Sequence, residues 1–255
     1  MRILIVIDET TFFHPQMTQK IIDKLGPEVV AACVVTKIPD RSNLERFLMR
    51  NWRWLYFSEM FQLFLLKIKM QLLDALRFSR VGSVRSAFRS AKIPFIEIHN
   101  NINQPQYLDW IRSFRPDIIV SSNSLYFGPE LLSIPTICSL NRHSGLLPSY
   151  GGLWPVLQAY RSGEMYTGAS VHKMERKIDA GEVLAQELVP IQDGMSLFDL
   201  YEQCFDKSVS CLVAAIEKIR KNDFSPVKNN YKSSYYGFPT KEQWREFRRR
   251  GGRFI

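Results

Sequence analysis

Apolar residues in this chain fall into short runs separated by polar turns and by segments of helical period. Arg2 to Asp8 (RILIVID) reads as a buried strand, and Val29 to Thr36 as a second. Between them Pro15 to Leu25 reads as a helix stopped by Gly26-Pro27. Strand, helix and strand at this spacing imply a right-handed parallel crossover, hence an α/β sheet. Ile93 to Ile98 is a third strand, Gln106 to Phe114 a helix ended by Arg115-Pro116, and Asp117 to Ser122 a further buried strand. The polar end of that last strand, Ser122-Asn123-Ser124, opens at the carboxyl edge of the sheet, where open α/β sheets bind ligands. Glu130 to Ser133 is a short turn or helix. The apolar run Ile134 to Leu140 then delivers Asn141 and His143 to its carboxyl end, ahead of a Gly/Pro-rich turn. A second alternation, which includes ASVHKM, is interrupted by a turn carrying Asp179. Ser196-Leu-Phe-Asp199 is a capping box on an amphipathic helix whose core face is Leu197, Leu200, Cys204, Phe205, Leu212, Ile216 and Ile219. After Asn222 the chain turns polar and aromatic, and a short basic helix starts at Thr240.

One segment departs from this rhythm. Asn43 to Ser90 reads as one long helix or two consecutive ones, and Trp54 to Leu66 is apolar apart from Ser58, Glu59 and Gln62. A helix apolar on most sides is buried or docked on something external. It therefore packs on the sheet or at a subunit interface of a homo-oligomer, or its aromatic residues from Trp52 to Leu66 touch a membrane surface peripherally, with Arg46, Arg50, Arg53 and Lys67 beside them. Glu59, Lys67 and Lys69 inside the stretch argue for partial exposure.

Composition narrows the function classes. The net charge of +9 favours an anionic partner, although Arg245, Arg248, Arg249, Arg250 and Arg253 crowd the last residues and could form a solvated tail. Four cysteines without a CxxC pair sit within apolar runs, as reduced thiols do, which points to the cytoplasm. No signal-peptide pattern and no membrane-spanning run is present in the sequence. The turn DETTFFHPQ after the first strand has no glycine, which excludes a dinucleotide fingerprint or a Walker loop there. No histidine has zinc-ligand spacing, so no metal is expected. Ser144 is not in a G-x-S-x-G elbow. No aromatic-and-basic recognition motif supports RNA binding, and no DNA partner is expected.

Asn141 and His143, one residue apart on a strand, point the same way. An amide donor beside an imidazole suits a developing oxyanion, and a distant carboxylate could hold that imidazole protonated. On residue chemistry alone a histidine near a Gly/Pro turn can equally be a loop hydrogen-bonder, and His172 in its alternating strand reads as structural.

The run Asn141-Arg-His143, then GLLPSYGG (Gly145 to Gly152), Pro155 and Ala159, TGASVHKM (Thr167 to Met174) and IDAGEVLAQ (Ile178 to Gln186) resembles the folate-dependent formyltransferases. That family includes enzymes acting on methionyl-tRNA, glycinamide ribonucleotide and nucleotide sugars. The resemblance implies a Rossmann-like, mostly parallel α/β catalytic domain over residues 1–221, with the 43–90 helical insertion and a short basic extension at 222–255. It implies 10-formyltetrahydrofolate as co-substrate, and Asn141, His143 and Asp179 as catalytic residues. In that mechanism protonated His143 and Asn141 stabilise a tetrahedral oxyanion, and Asp179 raises the histidine pKa. By the same analogy the pterin lies near Ser122, Asn123, Ile178 and Asp179, and the acceptor near Tyr150, Gly151 and Gly152. Three departures bear on the substrate. Gly151 stands where an arginine is common, the first turn is not a phosphate loop, and only a short tail follows the helix ending at Ile219. Transfer RNA is thereby disfavoured, and an amino sugar linked to a nucleotide is the acceptor expected.

Overall fold

The computed structural model describes residues 1–37, 55–75 and 82–255, which divide into two compact units, Met1–Leu140 and Asn141–Ile255. In the first unit, strand β1 (Ile3–Asp8) is buried along its whole length. It pairs in parallel with β2 (Val29–Lys37) on one side and β4 (Ile118–Ser122) on the other, while β2 carries the parallel strand β3 (Phe95–His99). The order is β3-β2-β1-β4. Continuous apolar runs make strands covered on both faces, as a parallel sheet requires. Helix α1 (His14–Leu25) buries Met17, Ile21 and Leu25, one side of its cylinder, and stops at Gly26.

The stretch expected as one or two helices contains α2 (Phe57–Ala75) and α3 (Val84–Ser90). Ser83 caps α3 reciprocally with Ser86. Residues 43–54 and 76–81, including Arg46, Arg50, Trp52, Arg53 and Trp54, lie outside the described residues. The acidic end of β1 has a structural use: Glu9 accepts the backbone N–H groups of Val84 and Arg85 at 3.0 and 3.1 Å, at the positive end of α3. The stretch is partly exposed, as its charged residues argued, but Glu59 is not what faces solvent. Glu59 is buried and accepts the N–H of Tyr56 at 2.9 Å, whereas Phe57, Phe61, Phe64 and Leu65 are exposed. No helix among the described residues is long and apolar enough to cross a membrane. Helices α4 (Pro105–Ser113) and α5 (Pro129–Leu132) complete this unit.

Strand β5 (Cys138–His143) runs across the division between the units. It begins later than the apolar run suggested and includes both Asn141 and His143. The second unit continues with β6 (Gly151–Gly152), α6 (Pro155–Ser162), β7 (Tyr166–Lys173) and β8 (Val183–Pro190). The sheet order is β5-β7-β8, with β7 and β8 antiparallel. Helix α7 (Leu197–Arg220), capped by Ser196 and Asp199, buries the expected face against β7 and β8.

The last residues are integrated rather than a free solvated tail. Strand β9 (Tyr235–Tyr236) pairs with β6, and α8 (Lys241–Arg249) buries Trp244 and Phe247. Those rings pack on Trp154 and Tyr160, with centroids 5.8 and 5.2 Å apart. Arg161 reaches Glu246 at 2.6 Å, while Arg245 and Arg249 share Glu242 on the outer side of α8.

Candidate active site

Alternation along β5 sends Asn141 and His143 to one side and Arg142 to the other. Arg142 donates to Ser208 at 2.9 Å and stacks over Phe205, 3.6 Å from the ring centroid. On the opposite side, the turn after β5 folds back over His143. Its Nε2 lies 2.9 Å from the Tyr150 carbonyl oxygen. Gly145 makes room for this, because a Cβ there would stand 3.0 Å from His143 Nε2 and 2.9 Å from Pro155. Ser170, fully buried on β7, fixes the turn by donating to the Gly145 carbonyl at 2.6 Å and accepting from Leu147 N–H at 3.1 Å.

Asp179 arrives from the turn between β7 and β8 with φ +54°, a left-handed conformation unusual for aspartate. Tyr150, whose carbonyl faces His143, has the same sign of φ. Asp179 Oδ2 accepts the Gly152 N–H at 2.8 Å and lies 3.6 Å from His143 Nδ1. Its Oδ1 lies 3.5 Å from both Asn141 Nδ2 and His172 Nε2. The three residues expected to act together are thus neighbours, and His172 joins them.

Hydrogen-bond bookkeeping sets the tautomers. A carbonyl oxygen only accepts, so His143 carries its proton on Nε2, toward Tyr150, and presents an Nδ1 lone pair beside Asp179. The same reasoning applies to His172, whose Nδ1 is 2.8 Å from the Lys173 carbonyl. Its Nε2 is therefore an acceptor, and it takes an N–H from Asn141 Nδ2 at 3.2 Å. That bond fixes the amide with its NH2 side toward His172 and Asp179.

Burial lowers the His143 pKa, and neither Asp179 nor the Tyr150 carbonyl offsets this. The net direction is opposite to the elevation expected from Asp179, because the imidazole is withdrawn from water before it gains one carboxylate. For Asp179 burial opposes ionisation, yet the imidazoles of His172 and His143, in their protonated forms, and the Gly152 N–H outweigh it and hold the carboxyl down at about 2. The cluster at rest is therefore a carboxylate beside a neutral imidazole.

A family model described as formyl transferase matches residues 1–216. The chain belongs to the formyl transferase family. A methionyl-tRNA formyltransferase from Thermotoga maritima is 29% identical over 154 residues, covering 60% of this chain and 49% of that protein. The chain thus spans about half the length of that curated relative. Among solved structures, a sugar N-formyltransferase from Shewanella sp FDAARGOS_354 has a TM-score of 0.58 at 15% identity, over 93% of this chain and 77% of the other. A phosphoribosylglycinamide formyltransferase from Anaplasma phagocytophilum has a TM-score of 0.58 at 13% identity, over 94% of this chain and 99% of the other. These two likenesses show the formyltransferase fold.

The other residues singled out in this formyl transferase chain divide by unit. Ser122 and Asn123 belong to the first, where their polar groups have local partners. Ser122 Oγ is 3.2 Å from His14 Nε2, and Asn123 bonds Ser121 Oγ at 3.0 Å and Leu125 N–H at 2.7 Å. Ile178, Tyr150, Gly151 and Gly152 belong to the second. Ile178 is exposed next to Asp179, while the Tyr150 hydroxyl is spent on Glu164 at 2.6 Å. Among the described residues no group of acidic, histidine and cysteine side chains is arranged to hold a metal. His172 was read from the sequence as structural. The signal that reveals it is polarity on a buried strand face: Ser170 and His172 share the inward side of β7, and both are almost fully buried.

Proposed function

We propose that this chain is a folate-dependent N-formyltransferase that acts on the primary amine of an amino sugar carried on a nucleotide. The observation that carries the reading is the lone pair of His143 Nδ1 held beside the Asp179 carboxylate and one residue from a fixed amide donor. Family membership supports formyl transfer. The donor set fits a carbonyl electrophile: it is an amide, an imidazole and a carboxylate, all oriented by neighbouring hydrogen bonds.

10-Formyltetrahydrofolate supplies an activated formyl carbon to such a site, and the exposed Ile178 and the backbone of the Asp179 turn would hold it. The chain's own residues account for the proton and the charge. Neutral His143 takes the acceptor amine's proton at Nδ1, which a depressed pKa keeps available at neutral pH. Asp179 then stabilises the imidazolium across 3.6 Å, and His143 returns that proton to the folate nitrogen as its bond to the formyl carbon breaks. The Asn141 amide, its flip set by His172, provides a preorganised N–H dipole for charge building on oxygen. This assigns His143 the role of base, where the resemblance implied a protonated partner of the oxyanion.

The test is a screen of UDP- and dTDP-linked amino sugars with 10-formyltetrahydrofolate, read as a mass gain of one formyl group. Transfer that disappears in His143→Ala is the expected result, and transfer unaffected by that change would refute the site. A second reading, transfer to an aminoacyl-tRNA, is favoured by the net charge of +9 and by the Thermotoga relative. It requires binding of transfer RNA that weakens steeply with salt.

A further inference from the structure

The turn Tyr150-Gly151-Gly152 is lined by a segment lying beyond the residues the family model matches. Ser149 Oγ donates to the Lys232 carbonyl at 2.7 Å, Tyr150 N–H to Ser234 Oγ at 2.8 Å, and Gly151 N–H to the Ser234 carbonyl at 2.9 Å. Leu153 N–H closes the series on the Tyr236 carbonyl at 2.8 Å. The glycine pair exists to admit this strand. A Cβ on Gly152 would strike the Tyr236 carbonyl oxygen and stand 3.1 Å from Tyr235 Cζ. A Cβ on Gly151 would stand 3.3 Å from Tyr235 Cδ2 and 3.5 Å from Asp179 Cβ. The Tyr235 ring and Asp179 therefore both border Gly151, which puts the ring beside the residue that carries the catalytic carboxylate.

The three tyrosines here are used differently. Tyr236 stacks on Tyr150 at 5.9 Å between centroids, with Arg161 5.5 Å over its ring. Tyr150 gives its hydroxyl to Glu164. Tyr235 is 60% exposed although its ring rests on the two glycines. A large aromatic that is both braced from behind and open in front is a platform. Such surfaces attract flat or C–H-rich ring faces by stacking, with no demand for charge.

We propose that Tyr235 positions the acceptor, stacking the sugar or nucleobase that carries the amine, and so selects ring-bearing amines over small free ones. This rests on the formyl-transfer reading and adds to it the residue that chooses the acceptor. Tyr235 does not touch the reacting atoms; it sets where the amine lies relative to His143.

The experiment compares wild type, Tyr235→Ala and Tyr235→Phe with UDP- and dTDP-linked amino sugars, measuring acceptor KM, donor KM and direct binding of each acceptor and of tetrahydrofolate. Tyr235→Ala is expected to raise the acceptor KM and Kd about tenfold, as loss of one stacking partner does, with kcat and donor KM within about twofold. Tyr235→Phe is expected to restore wild-type values, since the ring and not the hydroxyl does the work. An unchanged acceptor KM in Tyr235→Ala, or a loss that falls on the donor, overturns the platform. Wild type that binds tetrahydrofolate but none of the amino sugars overturns the platform while leaving the donor side standing. Wild type that binds neither overturns the functional reading itself.

Discussion

Replacing Asp179 with asparagine tests the electrostatic logic of the cluster most directly. The amide keeps the shape and can still accept the Gly152 N–H, so the turn is retained. What disappears is a full negative charge 3.6 Å from His143 Nδ1. At an effective dielectric near 20, a charge pair at that distance is worth about 4 to 5 kcal/mol, and only after His143 has taken a proton. Stabilisation confined to the protonated state is differential, so it appears in kcat/KM as a loss of about 10³-fold. The assay follows tetrahydrofolate release across a pH series. Asp179 is the group that raises the His143 pKa against burial, so the acid limb of the profile moves to lower pH in the variant. Stability supplies an independent readout with its own sign. The Asp179 carboxyl is held at about 2, below its ordinary 3.8, so its contribution is present above about pH 4 and is lost as pH falls through about 2. That contribution is roughly 2 kcal/mol, and the melting curves of wild type and variant should converge in acid. An acid limb that moves upward, or a loss of activity below tenfold, would refute the assignment of Asp179 as partner of a neutral base.

Two further substitutions probe the supports. His172→Leu removes the acceptor that fixes the Asn141 amide, and the loss of one buried hydrogen-bond partner, about 1–3 kcal/mol, predicts a 5- to 150-fold fall in kcat with little change in acceptor KM; an unchanged kcat would show that Asn141 holds its orientation unaided. Gly152→Ala forces a side chain into φ +87° and onto the Tyr236 carbonyl, so β6 and β9 must part, and a loss of about 2–4 kcal/mol should appear as a clear drop in Tm. A Tm within two or three degrees of wild type, about 1 kcal/mol for a chain of this size, would mean that the strand pair contributes nothing.

Strands β1, β2 and β4 were legible because a buried parallel strand must be apolar at every position, and a run of Ile, Leu and Val has few other uses. Strand β5 was misplaced for the complementary reason. Its apolar positions mark burial, while its pairing continues through Asn141, Arg142 and His143, which are polar because they serve the site and α7. The capping box at Ser196 was a local signal, and both its helix and the basic helix expected from Thr240 begin one residue after those positions. His172 was missed since its partner Asp179 meets it only after β7 turns into β8. Tyr235 was illegible for a stronger reason: its significance lies in two glycines far away in the sequence, each small so that another strand can approach.

The carbonyl that fixes the tautomer of His143 belongs to Tyr150, and the backbone on either side of Tyr150 bonds to residues 232–236. Synthesis proceeds from the other end. A nascent chain that has exposed β5, β7 and the Asp179 turn still lacks the strand that braces Tyr150, so its imidazole has no fixed proton position. The base therefore acquires its fixed proton position late, once residues 232–236 are made and can brace Tyr150.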